Sequence, residues 1–373
     1  MIPAAVHLLL VSDQIMPNLL PLLDEAYRPE QVVLLATAEK QQQAKRLAQM
    51  LTAIGCRSDI QQTSAYQLEA IHATLEGVIA ANRGKTLALN VTGGTKVMAL
   101  AAFAQFYSLD WPVYYVDTTH QQLIQLAPHQ QSRDLPDRLT VKTALNACGY
   151  QIETRERPAL QADNMTLYRA LVSDLPRWEK PLAELNYLAG KAKNAPYAEI
   201  NPAWRADADL QSILAHFARA GHLSYDSAGR VIFASEDSRR LVQGGWLEHW
   251  VFAQVEQLKR KGAVRDAAMS VRVVNPQGTR NEIDVALTAA NRLHLIECKT
   301  AQFKGPSTKA DAVVYKLDNL AELLGGTFAR ALLISWHPLR PEDRQRCRDN
   351  SITVASGAEL ADLPRILGAW IKG

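Results

Sequence analysis

The first 128 residues alternate short apolar runs with segments of helical periodicity. Between the runs, Glu39–Ile54 and Tyr66–Ala81 repeat their apolar positions at helical spacing. Apolar strands that alternate with amphipathic helices are typical of a parallel, doubly wound α/β sheet. Residues 121–126 predict one further strand at the edge of this sheet. The four apolar runs are Ala5–Val11, Gln31–Ala36, Thr86–Asn90 and Val113–Val116.

Residues 129–240 have a different pattern, beginning with a polar linker. Leu182–Ala195 and Leu210–Gly221 have helical spacing, and His222–Ser235 predicts a small hairpin that turns around Ser227–Gly229. Helices followed by a hairpin favour a small α+β, winged-helix-like module between two larger domains.

Residues 241–373 form a third block with its own order of elements. Gly244 and Gly245 precede a long predicted helix, Trp246–Gly262. The order that follows is three strands, a helix and a strand. Their predicted ranges are 268–274, 281–287 and 292–298 for the strands, 309–324 for the helix, and 331–335 for the last strand.

Three charged residues stand out on two of these strands: Asp284, Glu297 and Lys299. A tight turn at 289–292 predicts a hairpin, which would bring Asp284 and Glu297 together at one end. Alternation along a strand places Glu297 and Lys299 on the same face. Two carboxylates and an ammonium group suit a divalent metal that activates water for phosphodiester cleavage. The alternative is a surface ion pair, but the strand is apolar on both faces, where unpaired charges are costly.

A second motif, Asn90–Lys96, lies between a predicted strand and the predicted helix Val97–Tyr107. Its sequence, NVTGGTK, matches neither GxxxxGK[ST] nor GxGxxG. Glycines at such a turn let a ligand approach the backbone closely, and the free N–H groups of the helix start favour a phosphate. An ordinary tight turn with a threonine N-cap remains the alternative.

Composition limits the classes of protein that fit. Hydrophobic residues make up 47% and charged residues 21% of the 373 residues, as in a soluble globular protein. The net charge of +3 does not by itself indicate nucleic-acid binding. The start lacks a basic leader, and no apolar stretch reaches the roughly 20 residues of a membrane helix, so no membrane partner is expected. Four scattered cysteines predict neither a zinc cluster nor a disulfide framework and fit a cytoplasmic protein: Cys56, Cys148, Cys298 and Cys347.

Basic residues cluster at two places that could follow a nucleic-acid backbone. Lys259–Lys261 closes the long helix of the third block, and Arg344, Arg346 and Arg348 lie in a late helix. Solvated helix ends are the alternative explanation for both clusters.

The third block resembles the PD-(D/E)XK nuclease superfamily, with its restriction-endonuclease-like fold, in Asp284, in Glu297-Cys298-Lys299 and in element order. Ile283 stands where the superfamily name has proline. The resemblance implies that Asp284 and Glu297 hold Mg²⁺ or Mn²⁺, and that Lys299 orients or deprotonates water or stabilises the phosphorus. It also implies an extra acid on the first helix and an auxiliary polar residue on the next. The candidates are Glu248, Tyr315 and Lys316.

The first block resembles the CARF domains of CRISPR-associated proteins, in NVTGGTKVMALA and in LVSDQIMPNLLPLL after the first strand. Such domains are Rossmann-like dimers that bind cyclic oligoadenylate across their two-fold axis. Together, the two domains are similar to the ancillary nucleases of type III CRISPR antiviral defence, which cyclic tetra-adenylate activates to cut DNA, RNA or both. The hypothesis is that the ligand closes a homodimer and moves the nuclease domains. The ligand-binding residues that follow are Ser12, Asp13, Gln14, Asn18, Thr37, Thr92, Gly93, Gly94, Thr95 and Lys96, whereas Met98 is expected in the core.

Two other functions remain open at this point. A ligand-sensing transcription regulator would use the winged-helix-like module to bind DNA and would not need Glu297 or Lys299. A ring nuclease would degrade the cyclic ligand in the first domain, which requires catalytic groups there.

Overall fold

The computed structural model describes residues 4–301, 308–325 and 328–372. The chain divides into two compact units, Met1–Gln151 and Ile152–Gly373. Both predicted boundaries, after residues 128 and 240, fall inside these units, and the three-domain division itself stays a prediction. No helix within the described residues has both the length and the apolar composition needed to cross a membrane.

The first unit contains a seven-stranded sheet with the order β3-β2-β1-β4-β5-β6-β7. The pairs β3–β2, β2–β1, β1–β4 and β4–β5 are parallel. Strand β6 pairs antiparallel with β5, and β7 pairs antiparallel with β6. The predicted α/β class is confirmed. The strands are β1 (Val6–Leu10), β2 (Gln31–Ala36), β3 (Arg57–Gln62), β4 (Leu87–Asn90), β5 (Val113–Asp117), β6 (Gln122–Ala127) and β7 (Gln131–Asp134).

Strands β3 and β7 are polar and were not predicted from apolar runs. Each lies at an edge of the sheet, where a strand need not be apolar. The strand predicted at 121–126 is β6, and it is not the edge, since β7 pairs with its far side. Side chains of α3 and α4 pack on the central strands, and Met98 is buried there as expected. The helices of this unit are α1 (Met16–Leu19), α2 (Gln41–Ala53), α3 (Leu68–Ala81), α4 (Lys96–Ser108) and α5 (Val141–Ala147).

The middle residues of the chain fold as four helices and a small antiparallel sheet of order β10-β11-β9. The predicted hairpin is β10 with β11, in which Leu223 faces Phe233. One hydrophobic core joins these helices to α10 and to the larger sheet of the second unit. The elements are α6 (Ala162–Ser173), α7 (Leu175–Lys191), β9 (Ala198–Glu199), α8 (Ala208–Arg219), β10 (Leu223–Tyr225), β11 (Arg230–Phe233) and α9 (Glu236–Arg240).

A six-stranded sheet of order β16-β15-β14-β13-β12-β8 forms the rest of the second unit. Its central strands β12, β13 and β14 are antiparallel, and β14, β15 and β16 are parallel. The predicted order of helix, three strands, helix and strand is present. The elements are β8 (Gln151–Glu156), α10 (Trp246–Arg260), β12 (Asp266–Val274), β13 (Arg280–Ala289), β14 (Arg292–Lys299), α11 (Thr308–Gly325), β15 (Ala329–Ser335), α12 (Pro341–Asp349), β16 (Ile352–Ser356) and α13 (Leu363–Lys372).

Candidate functional site

Asp284 and Glu297 lie on the paired strands β13 and β14, just beyond the Val285–Ile296 pair. One oxygen of Asp284 accepts a hydrogen bond from the backbone N–H of Cys298 at 2.7 Å. Glu297 is only 3% exposed. The antiparallel pairing therefore brings the two carboxylates together at one end of the hairpin, as the spacing predicts.

Two lysine side chains lie beside the carboxylate of Glu297. The Nζ atom of Lys299 lies 2.6 Å from Glu297 Oε1, and Nζ of Lys316 lies 3.4 Å from the same oxygen. Burial opposes the charge of Lys299, but Glu297 and Asp284 outweigh it and raise the pKa of Lys299. Lys299 is therefore a fixed ammonium group beside the carboxylates. Tyr315, the neighbour of Lys316, is exposed and makes no described contact with this cluster.

Glu248, in the first turn of α10, joins the two carboxylates. Burial, followed by the charge of Asp284, raises the pKa of Glu248 to about 8. Burial, followed by the charge of Glu297, raises the pKa of Asp284 to about 6. Since like charges repel most strongly where water is excluded, this cluster binds protons or a cation more readily than isolated acids would.

A glycine sets the path of the chain into α10. Gly244 has a φ of +136°, and a Cβ there would come within 2.5 Å of Thr300 Oγ1, beyond the end of β14. The turn that leads into α10, Leu241–Gly245, is kinked at Gly244, whose backbone is not helical. This close approach to β14 places Glu248 over the carboxylates and explains the Gly244-Gly245 pair in the sequence.

The donor set at this cluster fits a small divalent cation. Carboxylate oxygens are the ligands that Mg²⁺ and Mn²⁺ prefer, and Mg²⁺ is commonly bound through one or two carboxylates with water and substrate phosphate. In the described part of the chain, no three His, Cys, Asp or Glu side chains converge closely enough to hold a metal ion alone. Asp284 and Glu297 would therefore share the ion with non-protein oxygens.

The raised pKa values predict that Mn²⁺ stabilises the protein more at pH 8.5 than at pH 5. Because the folded-state pKa values of Glu248 and Asp284 lie above 4.5 and 3.8, folding retains protons that the unfolded chain releases. Without metal, the contribution of these two carboxyl groups to the free energy of unfolding is therefore full below about pH 4 and is lost as pH rises towards 8. Melting temperatures with EDTA and with Mn²⁺ across this range measure both effects. Glu248→Gln should flatten the fall in EDTA; an unchanged slope in that variant would contradict the assigned cause.

The histidines and the late basic cluster have separate roles. His294 is buried against Trp370, as an ordinary core histidine, and His249 lines the cavity beside Glu248. In α12, Arg344 contacts Glu359, and Arg346 contacts Asp343. These ion pairs favour a structural role for that cluster over a nucleic-acid path.

The candidate ligand site of the first unit lies where the strand order reverses. β1 has β2 on one side and β4 on the other, and the loops that follow β1 and β4 leave the same carboxyl edge. Ligands of open α/β sheets bind at such a switch point. The structure thus brings Ser12–Gln14 and Thr92–Lys96 to one crevice edge.

Gly93 and Gly94 pack directly against β1. A Cβ on Gly93 would lie 2.1 Å from the carbonyl oxygen of Leu10, and one on Gly94 would lie 2.9 Å from Leu10 Cβ. Gly94 also has a φ of +75°. The two glycines therefore let the turn approach the first strand closely.

Three of the predicted ligand residues are instead bonded within the domain. Thr92 Oγ1 donates to Asn90 Oδ1 at 2.6 Å, and Thr95 Oγ1 caps α4 and donates to the carbonyl of Ala65. Asn18 is 1% exposed, and its amide bonds to Leu10 O and to Asn90. These hydrogen bonds fix the loops, and direct contact of these side chains with the ligand stays a prediction.

The remaining predicted residues lie along the same edge and differ in exposure. Lys96 is exposed at the first position of α4, and Ser12 Oγ donates to the carbonyl of Gln14. Asp13 accepts from Lys40 Nζ at 2.6 Å, and Thr37 is buried at the end of β2. The pairing with Lys40 neutralises Asp13, which removes the repulsion that a free carboxylate would exert on phosphate.

Two residues missed by the sequence argument are important here. Asn90 is a fully buried polar residue at the end of β4, and it holds Asn18 and Thr92 together. The only sign of Asn90 in the sequence was its place as a polar residue at the end of an apolar strand. Lys40 had none, because its partner Asp13 is distant in sequence.

Two family models match the chain. The Card1 CARF domain matches residues 6–143, and the Card1-like endonuclease domain matches residues 235–373. The chain therefore contains a CARF domain of the Card1 type and a Card1-like endonuclease domain. No curated protein matches the sequence significantly.

Solved structures extend this likeness over nearly the whole CARF endonuclease. Protein VC1899 from Vibrio cholerae is 28% identical, with a TM-score of 0.91 and 98% of each chain covered. Can2 from Sulfobacillus thermosulfidooxidans, solved in complex with cyclic tetra-adenylate, is 26% identical, with a TM-score of 0.83 and 99% of each chain covered. A type III CRISPR defence DNA nuclease activated by cyclic oligoadenylate is 21% identical and shares the fold, at a TM-score of 0.57 over 89% of this chain and 45% of that one.

Proposed function

We propose that this CARF endonuclease is an ancillary nuclease of type III CRISPR defence, activated by cyclic tetra-adenylate and dependent on Mn²⁺ or Mg²⁺ for cleavage of DNA, RNA or both. The observation that supports it most is the cluster of buried Glu297 with half-buried Asp284, Glu248 and Lys299 in an endonuclease domain. Structural roles rarely require three acids to share one site with limited access to water.

The chemistry of the cluster follows from its charges. A divalent ion held by Asp284 and Glu297 would lower the pKa of water and stabilise charge on the phosphate. Lys299, a permanent cation 2.6 Å from Glu297, orients the attacking water through its N–H groups and offsets charge on the phosphorus oxygens. Glu248, whose pKa is raised to about 8, accepts or releases a proton near neutral pH.

The crevice between the loops after β1 and β4 supports the activator assignment. Exposed Lys96 and the free N–H groups at the start of α4 suit a phosphate, and Gly93 and Gly94 hold the turn that leads into α4 close to β1. Can2, which resembles this chain over its full length, is solved with cyclic tetra-adenylate bound. The ligand activates if it binds the active arrangement more tightly than the resting one.

An exposed apolar face on α4 supports a homodimer of the CARF domain. Leu100 is 69% exposed and Tyr107 is 61% exposed, and partly buried Phe103 lies between them on the same helical face. Such an apolar face on a soluble protein usually contacts a partner, and a two-fold axis would pair it with itself.

Leu100→Glu is therefore expected to shift the protein from dimer to monomer and to abolish activation. Burial of one leucine contributes roughly 1.5–3 kcal/mol, so dimerisation should weaken by about tenfold or more. Light scattering after size exclusion measures the mass. Leu126→Glu, also at an exposed leucine, is the matched control on β6. A Leu100→Glu protein that remains dimeric would refute this interface.

The function is tested by incubating the protein with plasmid DNA or RNA and Mn²⁺ or Mg²⁺, with and without cyclic tetra-adenylate. Cleavage is expected only when metal and cyclic ligand are both present. Ligand-independent cleavage would contradict the gating, and absence of cleavage under every condition would contradict the nuclease assignment.

The alternatives have less support. A transcription regulator gains nothing from three clustered carboxylates beside Lys299, and its DNA binding would survive replacement of Glu297. A ring nuclease needs reactive groups at the crevice, where the hydroxyls of Thr92 and Thr95 are already bonded within the domain.

A further inference from the structure

A cavity of about 910 Å³ opens beside the catalytic cluster and extends well beyond it. Glu248 and Lys299 lie in its wall, together with residues of α6 and of the β10–β11 region, outside any catalytic motif. Its volume is near the upper end of the roughly 300–1,000 Å³ typical of ligand sites. The cavity lies within the second unit, and the middle helices supply part of its lining.

The lining combines apolar surface with polar and charged groups. Met165 and Phe252 supply apolar surface, and Asn164, Tyr168 and His222 supply hydrogen-bonding groups. Arg240 and Arg272 belong to the same cavity, as do the acids Glu156, Asp237 and Glu282. Apolar surface, hydrogen-bonding groups and cations suit a flat heteroaromatic ring attached to a phosphate backbone.

Tyr168 has a hydroxyl that the protein leaves unpaired. The residue is 2% exposed, and its oxygen has no hydrogen-bond partner within the described residues. Removal of a hydroxyl from water without a partner is costly, so such groups in native proteins usually serve a ligand or bound water. Here the residue belongs to the wall of the cavity.

Asn164 is held in one orientation by a short chain of hydrogen bonds. Its Oδ1 lies 2.8 Å from His222 Nε2, and His222 Nδ1 lies 3.3 Å from Ser238 Oγ. Burial lowers the pKa of His222 and favours the neutral ring, which donates from Nε2 and accepts from Ser238. The amide nitrogen of Asn164 then remains for a ligand, since it has no partner among the described residues.

We infer that this cavity binds an unpaired nucleobase next to the scissile phosphate, with Asn164 and Tyr168 as contacts and His222 as the positioning residue for Asn164. The inference rests on the proposed nuclease function. An amide N–H donor meets ring nitrogens and carbonyl oxygens that every base presents, so the site tolerates different bases but requires one to be present. A base within a duplex is stacked and would have to leave the helix to enter.

The first test measures binding, without cleavage. Anisotropy of a labelled single strand is measured in EDTA with saturating cyclic tetra-adenylate, against a fully abasic strand of equal length. Wild-type protein is expected to bind the intact strand about 5- to 10-fold more tightly, and Asn164→Ala and Tyr168→Phe should reduce that ratio to under about twofold. Equal binding of both strands by wild-type protein would overturn the inference.

The second test uses cut positions, which a merely structural role would not change. One abasic residue in a homopolymer should suppress wild-type cleavage at one neighbouring phosphate by about fivefold or more. In Asn164→Ala, cleavage at that phosphate should be similar to cleavage at the other phosphates. Uniform cutting around the abasic residue by wild-type protein would also overturn the inference. Absence of all cleavage with base-dependent binding intact would reject the nuclease function alone.

Stability separates a binding role from damage to the fold. Because Tyr168→Phe removes an unpaired buried hydroxyl, its melting temperature should equal or exceed that of wild-type protein while base-dependent binding falls. Tyr187→Phe, at an exposed tyrosine, is the matched control and should change neither. A Tyr168→Phe protein that keeps the full preference for the intact strand would remove Tyr168 from the site.

Discussion

Glu297→Gln should lower cleavage of nucleic acid by more than about 100-fold while leaving the affinity for cyclic tetra-adenylate unchanged. Loss of an outer-shell partner of a metal ligand costs about 10- to 100-fold in metal affinity or activity, so loss of the ligand charge itself should cost more. The amide also weakens the contacts to Lys299 and Lys316, at 2.6 and 3.4 Å. Initial rates with Mn²⁺ and ligand measure the effect.

Two controls separate chemistry from folding in this experiment. Glu322→Gln removes a carboxylate from the exposed surface of α11 and should keep nearly full activity. Calorimetric ligand binding by Glu297→Gln should match wild type, since the altered residue belongs to the endonuclease domain. Activity within about threefold of wild type would exclude Glu297 as a metal ligand.

Gly93→Ala should abolish activation by cyclic tetra-adenylate and destabilise the CARF domain. The added Cβ would lie 2.1 Å from the carbonyl oxygen of Leu10, so either β1 or the turn must move. Overpacking of this kind costs about 1–3 kcal/mol, and the displaced loop carries the proposed phosphate site. The ligand concentration for half-maximal cleavage should rise by at least about tenfold.

Gly77→Ala is the matched control for this change, in the same domain. Gly77 lies within α3, and a Cβ there meets nothing within 4 Å, so alanine should stabilise the helix by about 0.5–1 kcal/mol. Ligand-dependent cleavage by that variant should resemble wild type. Normal activation of Gly93→Ala would show that the close approach of the turn to β1 is not required for ligand binding.

The sequence by itself determined the elements whose pattern is strong. Apolar runs such as Gln31–Ala36 predicted central strands because both faces of those strands are buried. The turn between β13 and β14 fixed their antiparallel pairing, so Asp284 and Glu297 could be placed together without a structure. Local spacing was sufficient because these residues are close along the chain.

Tertiary structure decided what depends on residues distant in sequence. Polar β3 carries no apolar signal and is held in place by pairing with β2. Asn18 and Thr92 were predicted to contact the ligand, and only the structure shows that both also bond to Asn90. Helix α6 lines the cavity beside Glu248 only because one core joins it to α10. Burial and side-chain partners arise from packing between elements, and periodicity within one element does not encode which element it meets.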